Sequence, residues 1–186
     1  DILIALHACD TATDDALYYG IQSNASIIVV APCCHKEIRR QLQSYSLTSD
    51  HPYKDVLKYG IYKERISETI TDTIRAMLLE IRGYNVQVFE FVGGEHTAKN
   101  VMITAVKDRN LKKKGGKWDA QVNDLRQRLQ ELSSLQGIQR QKLADLLGED
   151  LVVPLGGERG DNLTADDVVM RLSKKKLMTS RTMPPI

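Results

Sequence analysis

The chain has 186 residues, 42% of them hydrophobic and 27% charged, which suits a globular domain with an appendage and excludes a disordered or low-complexity polymer. Its net charge of +2 neither demands nor excludes nucleic acid, because such binding depends on a local patch more than on the total. No run of about eighteen apolar residues and no basic leader with a hydrophobic stretch is present, so membrane spanning and secretion have no support and a cytoplasmic location is expected.

In chain order, Asp1 leads straight into the apolar run Ile2-Leu3-Ile4-Ala5-Leu6. This reads as a strand at a cut edge, so that the chain is expected to start partway through its sheet. A second β-branched run, Ala25 to Ala31, follows a helix-spaced stretch, TATDDALYYGIQSN. Continuously apolar strands of this kind are expected to be parallel and covered by helices on both faces. A short helix is predicted over 36–43, a polar stretch over 44–52 and a second short helix around 53–59. An amphipathic helix over 63–82 carries Ile66, Ile70, Ile74, Met77, Leu78 and Ile81 on one face and ends at Gly83.

Two alternating strands follow, 85–92 and 100–106. The short GGEHTAK connection between them dictates antiparallel pairing. The tract KDRNLKKKGGK over 107–117 holds six basic residues against one acidic and is read as a basic linker. Beyond it, 118–148 is expected to form two amphipathic helices in a hairpin, and 149–186 a loosely attached tail with one helix capped by Thr164. The expected fold is α/β: the C-terminal half of a class I, Rossmann-like sheet over 1–106 with a closing antiparallel hairpin, then a helical extension.

Ligands of open α/β sheets bind outside the carboxyl ends of the strands. Three polar segments fall at that edge: LHACDTATDDAL, APCCHKEI and GGEHTAKN. They contain all three cysteines and three of the four histidines, and this coincidence marks the candidate site. His7 and Cys9 alternate at a strand end and are expected on one face, with the small Ala8 opposite. Asp10 is the carboxylate placed to face a ligand, whereas Asp14 and Asp15 suit the dipole of the following helix.

Pro32 ends its strand before Cys33-Cys34-His35. A cysteine at a helix N-terminus beside a histidine tends toward the nucleophilic thiolate, and the alternative is a buried structural thiol, since free cysteine is a common small core residue. No metal is expected, since neighbouring cysteines seldom bind one ion together and no CxxC spacing is present; the alternative is zinc held by Cys9, Cys33 or Cys34, His35 and His7, with Cys9, Cys33 and His35 as the leading set. Arg65, and Arg39 or Arg40, suit phosphates, and Glu95, His96 and Thr97 sit at the hairpin tip, facing substrate or merely turning.

The pair HACDTATDDAL and APCCHKEIRRQL resembles the paired signatures, roughly His-x-Cys-Gly-x-x-Thr-Asp and Cys-Cys-His, of a methyltransferase-domain family. That family includes the tRNA 2'-O-methyltransferases with a CCCH-type zinc module and poorly characterised bacterial and animal methyltransferase-like proteins. The tract GIYKERISETITDTIRAMLLEIRGY with FVGGEHTAKNVMITAV, and SSLQGIQRQKLADLL beyond it, look like the closing part of the bacterial members.

The resemblance spans about residues 1–148. It implies a Rossmann-like methyltransferase with S-adenosylmethionine as donor and carries over His7, Cys9, Thr13, Asp14, Cys33, Cys34 and His35 as motif residues. Asp10 departs from the signature, which has glycine there. No glycine-rich donor loop or ribose-binding carboxylate precedes the first motif, so weak donor binding is expected of the chain alone.

The expected activity is methyl transfer to RNA, with Leu6, His7 and Ala8 near the donor, His7, Asp10 or His35 as general base, and Cys33 or Cys34 as nucleophile in a cytosine-5-type variant. Substrate contacts fall to Arg65, Glu95, His96 and Thr97. The competing classes are a non-catalytic RNA- or protein-binding module and a zinc-structured interaction domain.

Overall fold

The computed structural model describes residues 1–48, 53–91, 100–110 and 115–152. Glu95, His96 and Thr97, residues 111–114 of the basic tract and everything from 153 on lie outside the described residues. The elements are β1 (Ile2–Leu6), α1 (Thr11–Gln22), β2 (Ile27–Ala31), α2 (Lys36–Thr48), α3 (Lys54–Leu57), α4 (Gly60–Ile81), β3 (Tyr84–Glu90), β4 (Val101–Lys107), α5 (Gly116–Leu135) and α6 (Lys142–Leu147). None of the described helices is long and apolar enough to cross a membrane.

The four strands form one open mixed sheet in the order β1-β2-β4-β3, consistent with a Rossmann-like methyltransferase fold. β1 and β2 are parallel, Ile2 against Ile27 through Leu6 against Ala31. β4 is antiparallel to both of its neighbours, so β3 runs in the sense of β1 and β2. The closing hairpin thus inserts its second strand between β2 and β3. The carboxyl ends of β1, β2 and β3 and the start of β4 all reach one edge.

The core lies on one side of the sheet. Ile28, Val30, Ile103 and Ala105 join Leu17 of α1, Leu42 of α2, Ile74 and Leu78 of α4, Leu125 and Leu129 of α5, and Leu143 of α6 in a single buried cluster. Gly20 permits this approach, because a Cβ there would stand 2.9 Å from the Ile28 side chain, and the close packing offsets the roughly 1 kcal/mol that glycine costs in a helix.

The opposite side corrects an expectation. Ile2, Ile4 and Leu6 are 63%, 64% and 55% exposed, so among the described residues these runs are covered on one face, not two. A continuous apolar run records only that both faces suit burial; it does not say that both are buried here.

Several boundaries shift for local reasons. α4 begins at Gly60, three residues ahead of the start expected at 63, and ends where Gly83 takes φ 86, the left-handed conformation that glycine adopts freely. α2 runs to Thr48 instead of 43, and the second helix of the hairpin, expected over 138–147, starts at Lys142, where the Gln141 side chain accepts from Ala144 N at 3.0 Å. Two ties fix the outer elements: Glu149 receives the Nε and Nη2 of Arg126 at 2.8 and 3.0 Å, and Lys107 of the basic tract is the last residue of β4, bonded to Asn24.

Candidate functional site

Two turns at the carboxyl edge build the site: residues 7–10 after β1 and 32–35 after β2. β1 ends at Leu6, and His7 has φ 59. The strand alternation expected to place His7 and Cys9 on one face therefore stops before either residue. Asp10 has φ 51 and ψ −122, the corner of a type II′ turn that glycine normally occupies. The glycine of the resembling signature falls at this strained position.

Three bonds hold Asp10 there. Its carbonyl accepts from Arg75 Nη2 at 2.9 Å and from Thr13 N at 3.2 Å. Its Oδ1 accepts from Glu37 N at 3.2 Å, so a carboxylate from the β1 turn caps the first turn of α2, where the helix dipole favours negative charge. The Thr13 hydroxyl donates back to the Ala8 carbonyl. Asp10, expected to face a ligand, thus joins the two turns.

Beneath the turns lies a buried ionic cluster. Arg75, 1% exposed, donates Nε and Nη2 to the two oxygens of Asp14 at 2.8 and 2.9 Å and Nη1 to Asp72 Oδ1 at 3.1 Å. Burial alone would lower the arginine's pKa, but the hydrogen bonds and charges of Asp14 and then Asp72 outweigh it, and the pKa is raised. Gln141 Nε2 donates to Asp14 Oδ1 at 2.6 Å, tying α6 to the same centre. Asp14 is fully buried; it is a structural ion partner, not the exposed dipole complement expected of it, and only Asp15 stays exposed, beside Lys142 at 3.3 Å.

The sequence reading passed over Arg75 and Asp72. A signal existed, because Asp72, Arg75 and Leu79 recur at helical spacing on a second inward stripe of α4.

His35 is 5% exposed, and its Nε2 lies 3.1 Å from the same Asp72 oxygen. Its Nδ1 is buried without a hydrogen-bond partner, which is unusual for a buried polar atom. His35 and Asp72 line a pocket with Pro32, Arg65, Glu68, Glu90, Asn100 and Val101, at the edge where β2, β3 and β4 meet. Arg65 is exposed. The structure therefore brings together two expected site residues, His35 and Arg65. Arg39 instead pairs with Glu64 at 2.6 Å.

The three thiols form a separate cluster beside this pocket-lining turn. Cys9 Sγ lies 3.1 Å from Cys33 Sγ and 3.8 Å from Cys34 Sγ, and the two neighbours are 3.8 Å apart. All three are free, with Cys9 exposed and the others half-buried. Hydrogen bonds from Cys33 and Cys34 lower the Cys9 pKa, with a smaller contribution from Lys36. The hydrogen bond with Cys9, burial and the hydrogen bond with Cys34 push Cys33 up to about 12. The thiolate expected at Cys33 is therefore favoured at Cys9. The expected metal alternative Cys9, Cys33 and His35 is also corrected, since Cys34 and not His35 completes the group of ligand atoms lying within 4.8 Å of one another.

Leu6, His7 and Ala8, expected near the donor, lie at the open end of β1; Leu6 and His7 are exposed and Ala8 is half-buried. Neither described turn carries a glycine-rich loop, so these residues fit a nucleoside donor only in part, as one apolar wall and one stretch of turn backbone.

No curated protein and no solved structure matches the chain. A family model described as a methyltransferase domain matches residues 1–41, a stretch that contains β1, β2 and both turns of the site.

Proposed function

We propose that the protein acts in S-adenosylmethionine-dependent methyl transfer to RNA. The observation that carries this reading is the methyltransferase-domain match over residues 1–41, which falls on the two turns meeting at the carboxyl edge of the sheet. The RNA acceptor rests on the likeness of the His7-Ala8-Cys9-Asp10 and Cys33-Cys34-His35 motifs to RNA-modifying members of that family, and on the exposed Arg65 at the pocket, suited to a phosphate.

The donor supplies an electrophilic methyl group on a sulfonium, so the protein's task is positioning and, for a hydroxyl acceptor, proton removal. Of the expected bases, His7 is exposed at the strand end and Asp10 is engaged in capping α2; His35 alone borders the pocket. In this reading Asp72 orients the ring through Nε2, Nδ1 takes the acceptor's proton, and Arg65 holds a phosphate beside the transferred group.

The test is transfer of a tritiated methyl group from S-adenosylmethionine to an RNA pool by the protein in its full reading frame. His35→Gln is expected to lower turnover about 100-fold or more with donor affinity unchanged, the fold being checked by circular dichroism. No label in RNA, with RNA binding retained, would replace this reading with the non-catalytic module.

A further inference from the structure

We propose that Cys9, Cys33 and Cys34 form a three-thiolate site for a zinc-class divalent cation, with its fourth position open to solvent. Two sulfurs held about 2.3 Å from a common tetrahedral zinc stand about 3.8 Å apart. The Cys9–Cys34 and Cys33–Cys34 separations are both 3.8 Å. Only the Cys9–Cys33 pair, at 3.1 Å, has to open, by about 0.7 Å to reach that spacing, and exposed Cys9 has room to move. No pair is near the roughly 2.05 Å of a disulfide.

Adjacent cysteines in a strand would point to opposite faces. Here β2 ends at Ala31 and α2 begins at Lys36, so residues 33 and 34 lie in a turn that brings both thiols to Cys9. The opposing turn is held in place without the cation. Arg75 grips the Asp10 carbonyl, Asp10 caps α2 at Glu37 N, and Ala12 N donates to the Cys9 carbonyl at 3.0 Å. Ligands fixed in this way by surrounding hydrogen bonds are what a metal site requires.

Packing gives no alternative account, since an exposed Cys9 fills no core. Binding displaces the three S–H protons to solvent and leaves a site of net charge −1, which Lys36 and the N-terminus of α2 favour and Asp10 opposes. With three protein ligands the fourth position remains for water or a substrate atom, the pattern of zinc sites that do chemistry. The inference does not depend on methyl transfer.

The experiment titrates cobalt(II) into the fully reduced protein, followed by zinc displacement against a chromophoric chelator. The expected result is one equivalent per chain, with a thiolate-to-cobalt charge-transfer band and the intense visible bands of tetrahedral cobalt. Cys9→Ser, Cys33→Ser and Cys34→Ser should each weaken zinc binding at least about 100-fold, and His7→Ala should not. Cys9 is exposed, so its serine variant is the one whose folding is least in question; circular dichroism checks it. Absence of the charge-transfer band at one equivalent, or a band of equal strength in Cys9→Ser, would overturn the site, as would fewer than three titratable thiols after reduction.

Discussion

On the inner side of the turn at residues 7–10, Arg75, Asp14, Asp72 and Gln141 are buried and bonded to one another. On its outer side three thiols crowd together at the edge, held by weak S–H contacts and open to solvent at Cys9. The inner group fixes where the turn backbone goes, because Arg75 reaches both the Asp14 side chain and the Asp10 carbonyl. The outer group contributes little that folding requires. One turn thus has a side that determines its shape and a side free for chemistry, and each can be broken without directly removing the other.

The largest effect is expected on the inner side. Arg75→Met leaves two buried carboxylates without their cation and should cost about 3–5 kcal/mol of stability, measured by urea denaturation. Adding Asp14→Asn and Asp72→Asn to the same chain should return much of that loss, because the uncompensated charges are then gone. A loss below about 1 kcal/mol for Arg75→Met would mean that the cluster does not anchor the turn.

On the outer side the contrast is between thiols. The thiolate is the form that alkylates, and a lowered pKa exposes it at lower pH, a raised one only at higher pH. In metal-free protein, Cys9 should react with iodoacetamide with a midpoint below the ordinary thiol value of 9.0. Cys33, held at about 12, should be at least tenfold slower at neutral pH, as read by mass spectrometry of the peptides. Equal rates would remove the asymmetry within the cluster.

The sequence carried the outer side better than the inner. Strand runs at 2–6 and 27–31, the antiparallel hairpin and the long α4 were legible because apolar periodicity reports burial directly. The convergence of His35 and the cysteines at one edge followed from strand polarity alone. Arg75 was missed because its partner Asp14 lies 61 positions away in sequence, and Asp72 because His35, which it meets across the fold, lies 37 away; a charge on a helix reads as solvated until its partner is known. The face of Ile2, Ile4 and Leu6 was misread for the converse reason: the apolar pattern states what a strand tolerates, and which helices reach it is a property of the whole chain.

The smallest effect tests where the two sides meet. Asp10 bears a positive φ that costs a non-glycine residue about 1 kcal/mol and gains a capping bond to α2 worth about 0.5–2 kcal/mol. Asp10→Gly loses the cap but relieves the backbone, so its stability should stay within about 0.5 kcal/mol of the parent. Asp10→Ala loses the cap and keeps the strain, and should fall about 1 kcal/mol below. The glycine variant should therefore melt above the alanine variant, although glycine is ordinarily the less stabilising of the two. An alanine variant as stable as the glycine one would show that the turn relaxes out of its left-handed conformation. Arg75 would then not be holding the Asp10 carbonyl in place, and the inner side would lose its hold on the backbone that carries Cys9.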